Sequence, residues 1–185
     1  MKRTTRTRRK ELPESIAFQP LAFTAAGCGN PLPFTKQDQG QTEWCWAANA
    51  VSVNLFYNPA SAWTQCALVN SKMNQTTCCE NGKSSECNKQ WYLDDALSSL
   101  GNLKAWTPDK ATFADIQAEI NGCRPFCLRI EWNRGGGHFV TVDGFDGENI
   151  HIRDPWYGDF MQPYATFPSK YQKGGKWTDN FFTKA

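Results

Sequence analysis

A chain of 185 residues with 14% aromatic side chains is long and apolar enough for one globular domain with a buried site. The net charge of +2 combines a basic first ten residues with a mildly acidic remainder, and no apolar run approaches the roughly 20 residues that a membrane-spanning helix needs. We therefore expect neither a disordered chain nor a membrane span, and no nucleic-acid partner.

The first segment, residues 1–35, has no helical or alternating periodicity. It begins with MKRTTRTRRK, and we predict a basic, flexible arm and lead-in ahead of a domain over 36–185. Glu11, Pro13 and Pro20 interrupt the apolar stretch that a cleaved secretory signal would need, so no such signal is expected.

The predicted domain has a helical first part and a strand-rich second part. Apolar residues recur at helical spacing from Trp44 until Asn58-Pro59, which predicts a buried helix. Shorter helices are predicted over 61–71, 91–100 and 110–120, and strands over 127–132, 138–145, 149–154 and 176–182. This order indicates an α+β protein with a helical lobe over about 36–122 and an antiparallel β lobe over about 123–185.

Four of the eight cysteines lie in a polar stretch that could not hold its shape by burial alone. We predict two disulfides there, with the pairing left open and a Cys78–Cys79 bond the least expected. A zinc site is the alternative, but the set lacks a CxxC pair and a nearby histidine, so no metal is expected. The four candidates are Cys66, Cys78, Cys79 and Cys87.

The other cysteines apart from Cys45 are interpreted as small buried apolar side chains: Cys28, Cys123 and Cys127. Seven cysteines remain when Cys45 is set aside, so at least one has no partner. Disulfides indicate an oxidising compartment for at least part of the life of the protein.

Cys45 stands in QGQTEWCWAANA, in the first turn of the predicted long helix. The positive end of a helix dipole and its unpaired N–H groups favour a thiolate. A nucleophilic thiolate also requires a base, a group that orients the base, and donors for an oxyanion. Without such partners, Cys45 would be a buried structural thiol.

Each partner has one preferred candidate. His138 opens a strand after three glycines, and Asp154 follows sixteen residues later at a strand end. His151 lies between Ile150 and Ile152 and is interpreted as structural.

Gln39, six residues before Cys45, is the predicted oxyanion donor together with the backbone N–H of Cys45, and Gln41 is the less favoured choice. A phosphate-binding role for the glycines at 135–137 is excluded because no Gly-Lys-Ser/Thr sequence leads into a helix.

The pattern resembles the papain-like cysteine peptidases from Lys36 to about Ala185. The motif positions are Gln39-Gly40, Cys45-Trp46, His138, Asp154 and Trp156. More narrowly, WCWAA, GGHFVTVDGFDG and IHIRDPWYG are similar to the bacterial branch near the double-glycine peptidases that process bacteriocins, and to related secreted effector and toxin peptidases.

The resemblance implies a two-lobed papain-like fold and a Cys45–His138–Asp154 triad, with Trp156 shielding the last two residues from water. It implies cleavage of a protein or peptide substrate and no cofactor. Plant and lysosomal relatives have Asn where this chain has Asp154, whereas bacterial relatives commonly have Asp. The chain lacks the ATP-binding and transmembrane portions of the exporter peptidases, which disfavours a role inside an exporter.

The expected context is an exported bacterial effector or antibacterial toxin, cytoplasmic before export, with a cognate immunity or inhibitor protein. Two alternatives remain. The same triad could serve another acyl transfer, as in a transglutaminase, a glutamine deamidase or a peptidoglycan amidase. The chain could instead be a catalytically inactive binding module.

Overall fold

The computed structural model describes residues 27–185, so the predicted basic arm over 1–10 and the rest of the chain before residue 27 lie outside the described residues. The helices of the described part are α1 (Cys45–Tyr57), α2 (Gln65–Met73), α3 (Leu93–Ser99) and α4 (Phe113–Asn121). Its strands are β1 (Leu103–Pro108), β2 (Phe126–Trp132), β3 (Gly137–Asp146), β4 (Asn149–Asp154), β5 (Gly158–Pro163) and β6 (Gly175–Thr183).

The strands form one antiparallel sheet with the order β1-β6-β2-β3-β4-β5. β3 and β4 are the predicted hairpin, in which Asp146 pairs with Asn149. Since antiparallel neighbours run in opposite directions, the start of β3 lies beside the end of β4. His138 and Asp154 therefore reach the same end of the sheet from adjacent strands.

The predicted long helix is confirmed as α1, and it forms the centre of the core. Its first ten residues are all buried, and it packs against α2, α3 and β3. A helix that is apolar on all sides is stable only when other elements of the protein bury it on all sides. This position brings the N-terminus of α1 to the sheet end that carries His138.

β1 and β5 have no counterpart in the sequence prediction. β1 forms the sheet edge against β6, and α4 packs on β2 and β3. One strand of the sheet therefore comes from within the predicted helical lobe, ahead of α4. The prediction missed it because β1 is paired with a strand more than 70 residues later in the chain.

Part of the predicted lead-in belongs to the folded unit. Leu32 and Phe34 are 3% and 6% exposed and pack into the core. The Leu32 N–H donates a 2.7 Å hydrogen bond to the carbonyl of Asp143 on β3. Apolar side chains in an irregular segment leave no periodic signal, so the predicted start at residue 36 is too late.

Three disulfides are present: Cys66–Cys79, Cys78–Cys87 and Cys28–Cys123. The first two confirm the predicted cluster. The third corrects the interpretation of Cys28 and Cys123 as small apolar side chains, because it ties the lead-in to the second residue after α4. Cys127 is a buried free thiol beside Thr141, as predicted.

Within residues 27–185, no helix has both the length and the apolar character that crossing a bilayer requires. Among the same residues, no three His, Cys, Asp or Glu side chains come together in an arrangement that could hold a metal ion.

Candidate active site

Cys45 is the first residue of α1, and 9% of its surface is exposed. The N-cap residue, Trp44, makes no side-chain capping bond, and the first turn contains no acidic side chain. The unpaired N–H groups of this turn therefore place positive potential beside the sulfur. Such an environment stabilises a negative charge on a neighbouring atom.

His138 lies between Cys45 and Asp154. Its Nε2 donates a 2.8 Å hydrogen bond to Oδ1 of Asp154, and its ring also interacts with the sulfur of Cys45. Oδ1 of Asp154 further accepts the N–H groups of Trp156 and Tyr157 at 2.7 and 2.8 Å. The carboxylate is fully buried, and these bonds hold it in one orientation.

The charges of this pair support each other. Burial alone would lower the pKa of His138, but the hydrogen bond to Asp154 and the nearby Cys45 sulfur raise it to about 9. Burial alone would raise the pKa of Asp154, but the bond and charge of His138 together with the N–H groups of Tyr157 and Trp156 outweigh that effect and lower it. The arrangement therefore favours an imidazolium beside the Asp154 carboxylate at neutral pH.

Aromatic side chains surround the His138–Asp154 pair. Trp132 stacks on the His138 ring with centroids 5.9 Å apart, and Tyr157 meets the same ring edge-on at 6.0 Å. The Tyr171 hydroxyl donates to Oδ2 of Asp154 at 2.9 Å. The Trp156 side chain is 53% exposed, and its role in excluding water from the pair remains a prediction.

Gln39 is near the site, but its amide is already engaged. Its Nε2 donates to the carbonyls of Gln41 and Thr42 at 2.8 and 2.9 Å, so both hydrogens of the amide are used. Its Oε1 is buried without a partner. In this conformation Gln39 has no free N–H donor for an oxyanion, contrary to the predicted arrangement. The turn that contains Gln39 leads directly to Cys45.

A cavity of about 650 Å³ opens beside Cys45 and His138. The helical half contributes Trp91 and Tyr92 to its walls, and the sheet half contributes Trp106. Tyr92 and Trp106 are 69% and 49% exposed, so aromatic surface flanks the entrance. A pocket of this size between two halves of a protein can hold several residues of an extended peptide.

His151 is not part of this site. It alternates with the buried Ile150, Ile152 and Asp154 along β4, so its side chain lies on the other face of the strand. Its interpretation as a structural histidine remains a prediction. Gly137 and Arg129 both line the cavity, and a Cβ atom on Gly137 would lie 2.8 Å from the guanidinium of Arg129.

A family model described as "Papain-like cysteine protease AvrRpt2" matches residues 29–172. The chain belongs to this family. It is thus a papain-like cysteine peptidase, which confirms the family, the α+β fold class and the enzyme class indicated by the sequence. No curated protein matches this peptidase significantly.

Two solved structures show the same fold. A double glycine motif protease from an AMS/PCAT transporter, in complex with the leader peptide, has 20% identity and a TM-score of 0.50, over 85% of this chain and 95% of that one. The peptidase domain of Streptococcus ComA, a bifunctional ABC transporter involved in a quorum-sensing pathway, has 17% identity and a TM-score of 0.52, over 82% and 99%. The Pseudomonas avirulence protein AvrPphB has 10% identity and a TM-score of 0.41, over 82% and 98%.

Several residues of the peptidase site were not predicted from the sequence. Trp132 and Tyr171 come from β2 and from the segment between β5 and β6. No local spacing relates them to His138, so only the folded chain brings them together. A weak signal exists for Trp132, since it ends a strand and the glycine turn leads back from it to His138.

Proposed function

We propose that this peptidase hydrolyses peptide bonds in a protein or peptide substrate, with Cys45 as the nucleophile, His138 as acid and base, and Asp154 as the residue that orients His138. The observation that carries the proposal is the position of His138, which interacts with Cys45 and Asp154 at the wall of one large cavity. Family membership supports hydrolysis as the reaction.

In the first half of the reaction, the Cys45 thiolate attacks the carbonyl carbon and forms a tetrahedral oxyanion. Because Nε2 of His138 donates to Asp154, its Nδ1 is the nitrogen available on the Cys45 side. Nδ1–H protonates the leaving amine, the C–N bond breaks, and a thioester remains on Cys45. In the second half, water adds to the thioester and gives a proton to His138, and the C–S bond breaks.

The Cys45 N–H is the proposed backbone donor to the oxyanion. Gln39 is the proposed second donor, and it serves only when the substrate oxygen replaces one of its two carbonyl partners, which are those of Gln41 and Thr42. Removing one such donor costs about 10²–10³-fold in kcat in well-studied hydrolases.

The proposed substrate is an extended peptide segment. The cavity is bounded by aromatic side chains from both halves of the molecule, and a leader peptide is bound to a structural relative of this chain. Three disulfides support exposure to an oxidising compartment, and hence an exported effector or toxin of a bacterium. In that setting, an immunity or inhibitor protein would bind across the same cavity.

The test compares newly formed protein N-termini in a bacterial lysate treated with the wild-type chain or with the Cys45→Ala variant. We expect new termini only with the wild type. His138→Ala should abolish them as well, whereas His151→Ala, which changes the other histidine, should leave them in place. The same set of termini with wild type and Cys45→Ala would remove the proposal.

Two further outcomes identify the alternatives. Deamidated or cross-linked glutamine without new termini would show another acyl transfer by the same residues. An inactive binding module would leave Cys45 no more reactive than a free thiol toward iodoacetamide at neutral pH. Cys127 is an internal control for this labelling, because burial raises its pKa to about 12 and it should not react.

A further inference from the structure

The segment between α2 and α3 takes part in two disulfides, one of them within the segment and the other with Cys66 of α2. We call residues 78–89 the disulfide segment; it has turns but neither a helix nor a strand. Cys78–Cys87 closes it internally, and Cys66–Cys79 ties its start to α2. Cys78 and Cys87 are 1% and 0% exposed, so the internal disulfide is packed inside the protein.

The disulfide segment accepts hydrogen bonds from both tryptophans that flank Cys45. Trp44 Nε1 donates to the carbonyl of Cys87 at 2.9 Å, and Trp46 Nε1 donates to the carbonyl of Lys89 at 3.0 Å. Both indoles are almost completely buried, and an indole N–H has no other way to form a hydrogen bond there. The path of residues 87–89 therefore determines where the start of α1 can lie.

Asn88 makes two further bonds to the residues just before Cys45. Its Oδ1 accepts the N–H of Glu43 at 2.9 Å, and its Nδ2 donates to Oγ1 of Thr42 at 2.8 Å. The Thr42 carbonyl in turn accepts from the Gln39 amide. One side chain of the disulfide segment thus supports the turn that carries both proposed oxyanion donors.

Close packing reinforces these bonds. A Cβ atom on Gly82 would lie 2.9 Å from the Trp44 ring, 3.0 Å from Nε2 of Gln41 and 3.1 Å from the Cys78 carbonyl. A side chain at position 82 would therefore displace either the turn or the disulfide.

We infer that the disulfide segment is a positioning element for catalysis, in which Asn88 holds the turn over residues 39–45 in the geometry that stabilises the oxyanion. The inference rests on the proposed function. Asn88 does not line the cavity and acts only through Thr42 and Glu43. Because Cys78–Cys87 fixes the segment, full activity requires this disulfide together with a reduced Cys45.

The test separates cleavage from thiol reactivity. Cleavage is measured with a synthetic peptide that spans the strongest site found in the lysate, and reactivity as the rate of Cys45 alkylation by iodoacetamide. For Asn88→Ala we expect kcat to fall by about tenfold to hundredfold, with little change in KM. Alkylation forms no oxyanion, so its rate should stay near that of the wild type.

Two single variants serve as controls. Asn88→Asp keeps an acceptor for the Glu43 N–H and a partner for the Thr42 hydroxyl, so it should restore most of kcat. Asn70→Ala removes a hydrogen bond that anchors the same segment to α2, where Asn70 Oδ1 accepts the Cys78 N–H at 2.9 Å. Asn70 makes no contact with the turn, so its variant should keep the wild-type kcat once differences in folded fraction are corrected.

The disulfide itself is tested with Cys78→Ser/Cys87→Ser, which should show the same loss of kcat as Asn88→Ala. Equal losses of cleavage and alkylation in Asn88→Ala, or a wild-type kcat in that variant, would overturn the inference while leaving the proposed function in place. A wild-type chain that releases no new termini would remove the proposed function, and the inference with it.

Discussion

At the scale of single residues, the proposed chemistry depends on the positive charge of His138. Burial opposes that charge, but Asp154 and the Cys45 sulfur raise the pKa of His138 from its ordinary 6.5 to about 9. The imidazolium therefore persists at neutral pH and is lost as the pH rises through about 9. We expect the pH profile of kcat/KM for the cleavage peptide to have a basic limb with a midpoint in that region.

The same shift affects stability, and its sign follows from linkage. The folded pKa lies above the unfolded one, so the protonated histidine stabilises the fold below pH 6.5, and this contribution is lost as the pH rises through about 9. The hydrogen bond to the Asp154 carboxylate is the largest cause that raises the pKa of His138, so Asp154→Asn, which removes the carboxylate, should move the basic limb to lower pH. Asp143→Asn, at another buried aspartate, should leave the limb in place. Superimposable profiles for wild type and Asp154→Asn would contradict this account.

Tyr171 gives a second prediction at this scale. Its hydroxyl donates to the buried Asp154 carboxylate, and a hydrogen bond to a charged group contributes about 1.5–3 kcal/mol. We expect Tyr171→Phe to lower the free energy of unfolding in urea by that amount. Tyr157→Phe is the matched control, because the Tyr157 ring packs on His138 while only its backbone N–H reaches Asp154. Equal losses in the two variants would show that the hydroxyl bond of Tyr171 to Asp154 makes no special contribution to stability.

Residue patterns identified the groups that meet at the site but not their surroundings. The spacing of Cys45, His138 and Asp154 selects them from the sequence because each role needs one chemical type at one position. Shielding has no such requirement, since any large side chain from any element can cover the pair. No spacing pattern therefore selects Trp132, which stacks on the His138 ring.

At the scale of elements, α1 and the β3–β4 hairpin were predictable, whereas the edge strands β1 and β5 were not. A buried helix and a hairpin produce local periodicity. β1 has five exposed residues out of six, so it lacks the alternation by which a half-buried strand is recognised. β1 forms a strand because it pairs with the free edge of β6, which lies far away in the sequence.

The two disulfides around the disulfide segment differ in exposure, which predicts an order of reduction. Cys79 is exposed and Cys66 half-buried, whereas Cys78 and Cys87 are packed in the core. Thiol–disulfide exchange requires access to a sulfur. Brief treatment with dithiothreitol under native conditions should therefore open Cys66–Cys79 before Cys78–Cys87.

The measurement uses one alkylating reagent to block free thiols before reduction and an isotopically heavier one afterwards. Cys66 and Cys87 lie in different tryptic peptides, so peptide mass spectrometry reads each disulfide separately. Heavy label on Cys87 at the same rate as on Cys66 would contradict the expectation. Urea-unfolded protein is the control, because there both disulfides should open together.

At the scale of the whole molecule, Asn49 joins the helical half to the sheet half beside the site. Its Nδ2 donates to the carbonyls of Cys45 and Phe139, both at 2.8 Å, and its Oδ1 accepts from the Thr141 hydroxyl at 2.6 Å. One buried amide thereby connects the helix turn of Cys45 with the strand of His138. We expect Asn49→Ala to lower kcat/KM for the cleavage peptide by about tenfold or more.

Asn54→Ala is the control for this prediction. Asn54 is also a buried asparagine of α1, and its Nδ2 donates to Asn102 at 2.8 Å, away from the cavity. Both variants should lose about 1–3 kcal/mol of unfolding free energy in urea, since each leaves buried polar groups unpaired. Only Asn49→Ala should reduce cleavage by the folded protein. Wild-type cleavage by that variant would show that the two halves keep their relation without this amide.

The sequence by itself determined the α+β class, the long buried helix, the peptidase family and the chemical types assembled around Cys45, because these depend on periodicity and on motif spacing. Only the tertiary structure decided the pairing of β1, the Cys28–Cys123 disulfide, the aromatic side chains around His138 and the contact of the disulfide segment with the turn over residues 39–45. Each of these joins residues far apart in the chain. Such contacts form only when the two halves pack together, so they produce no local sequence pattern.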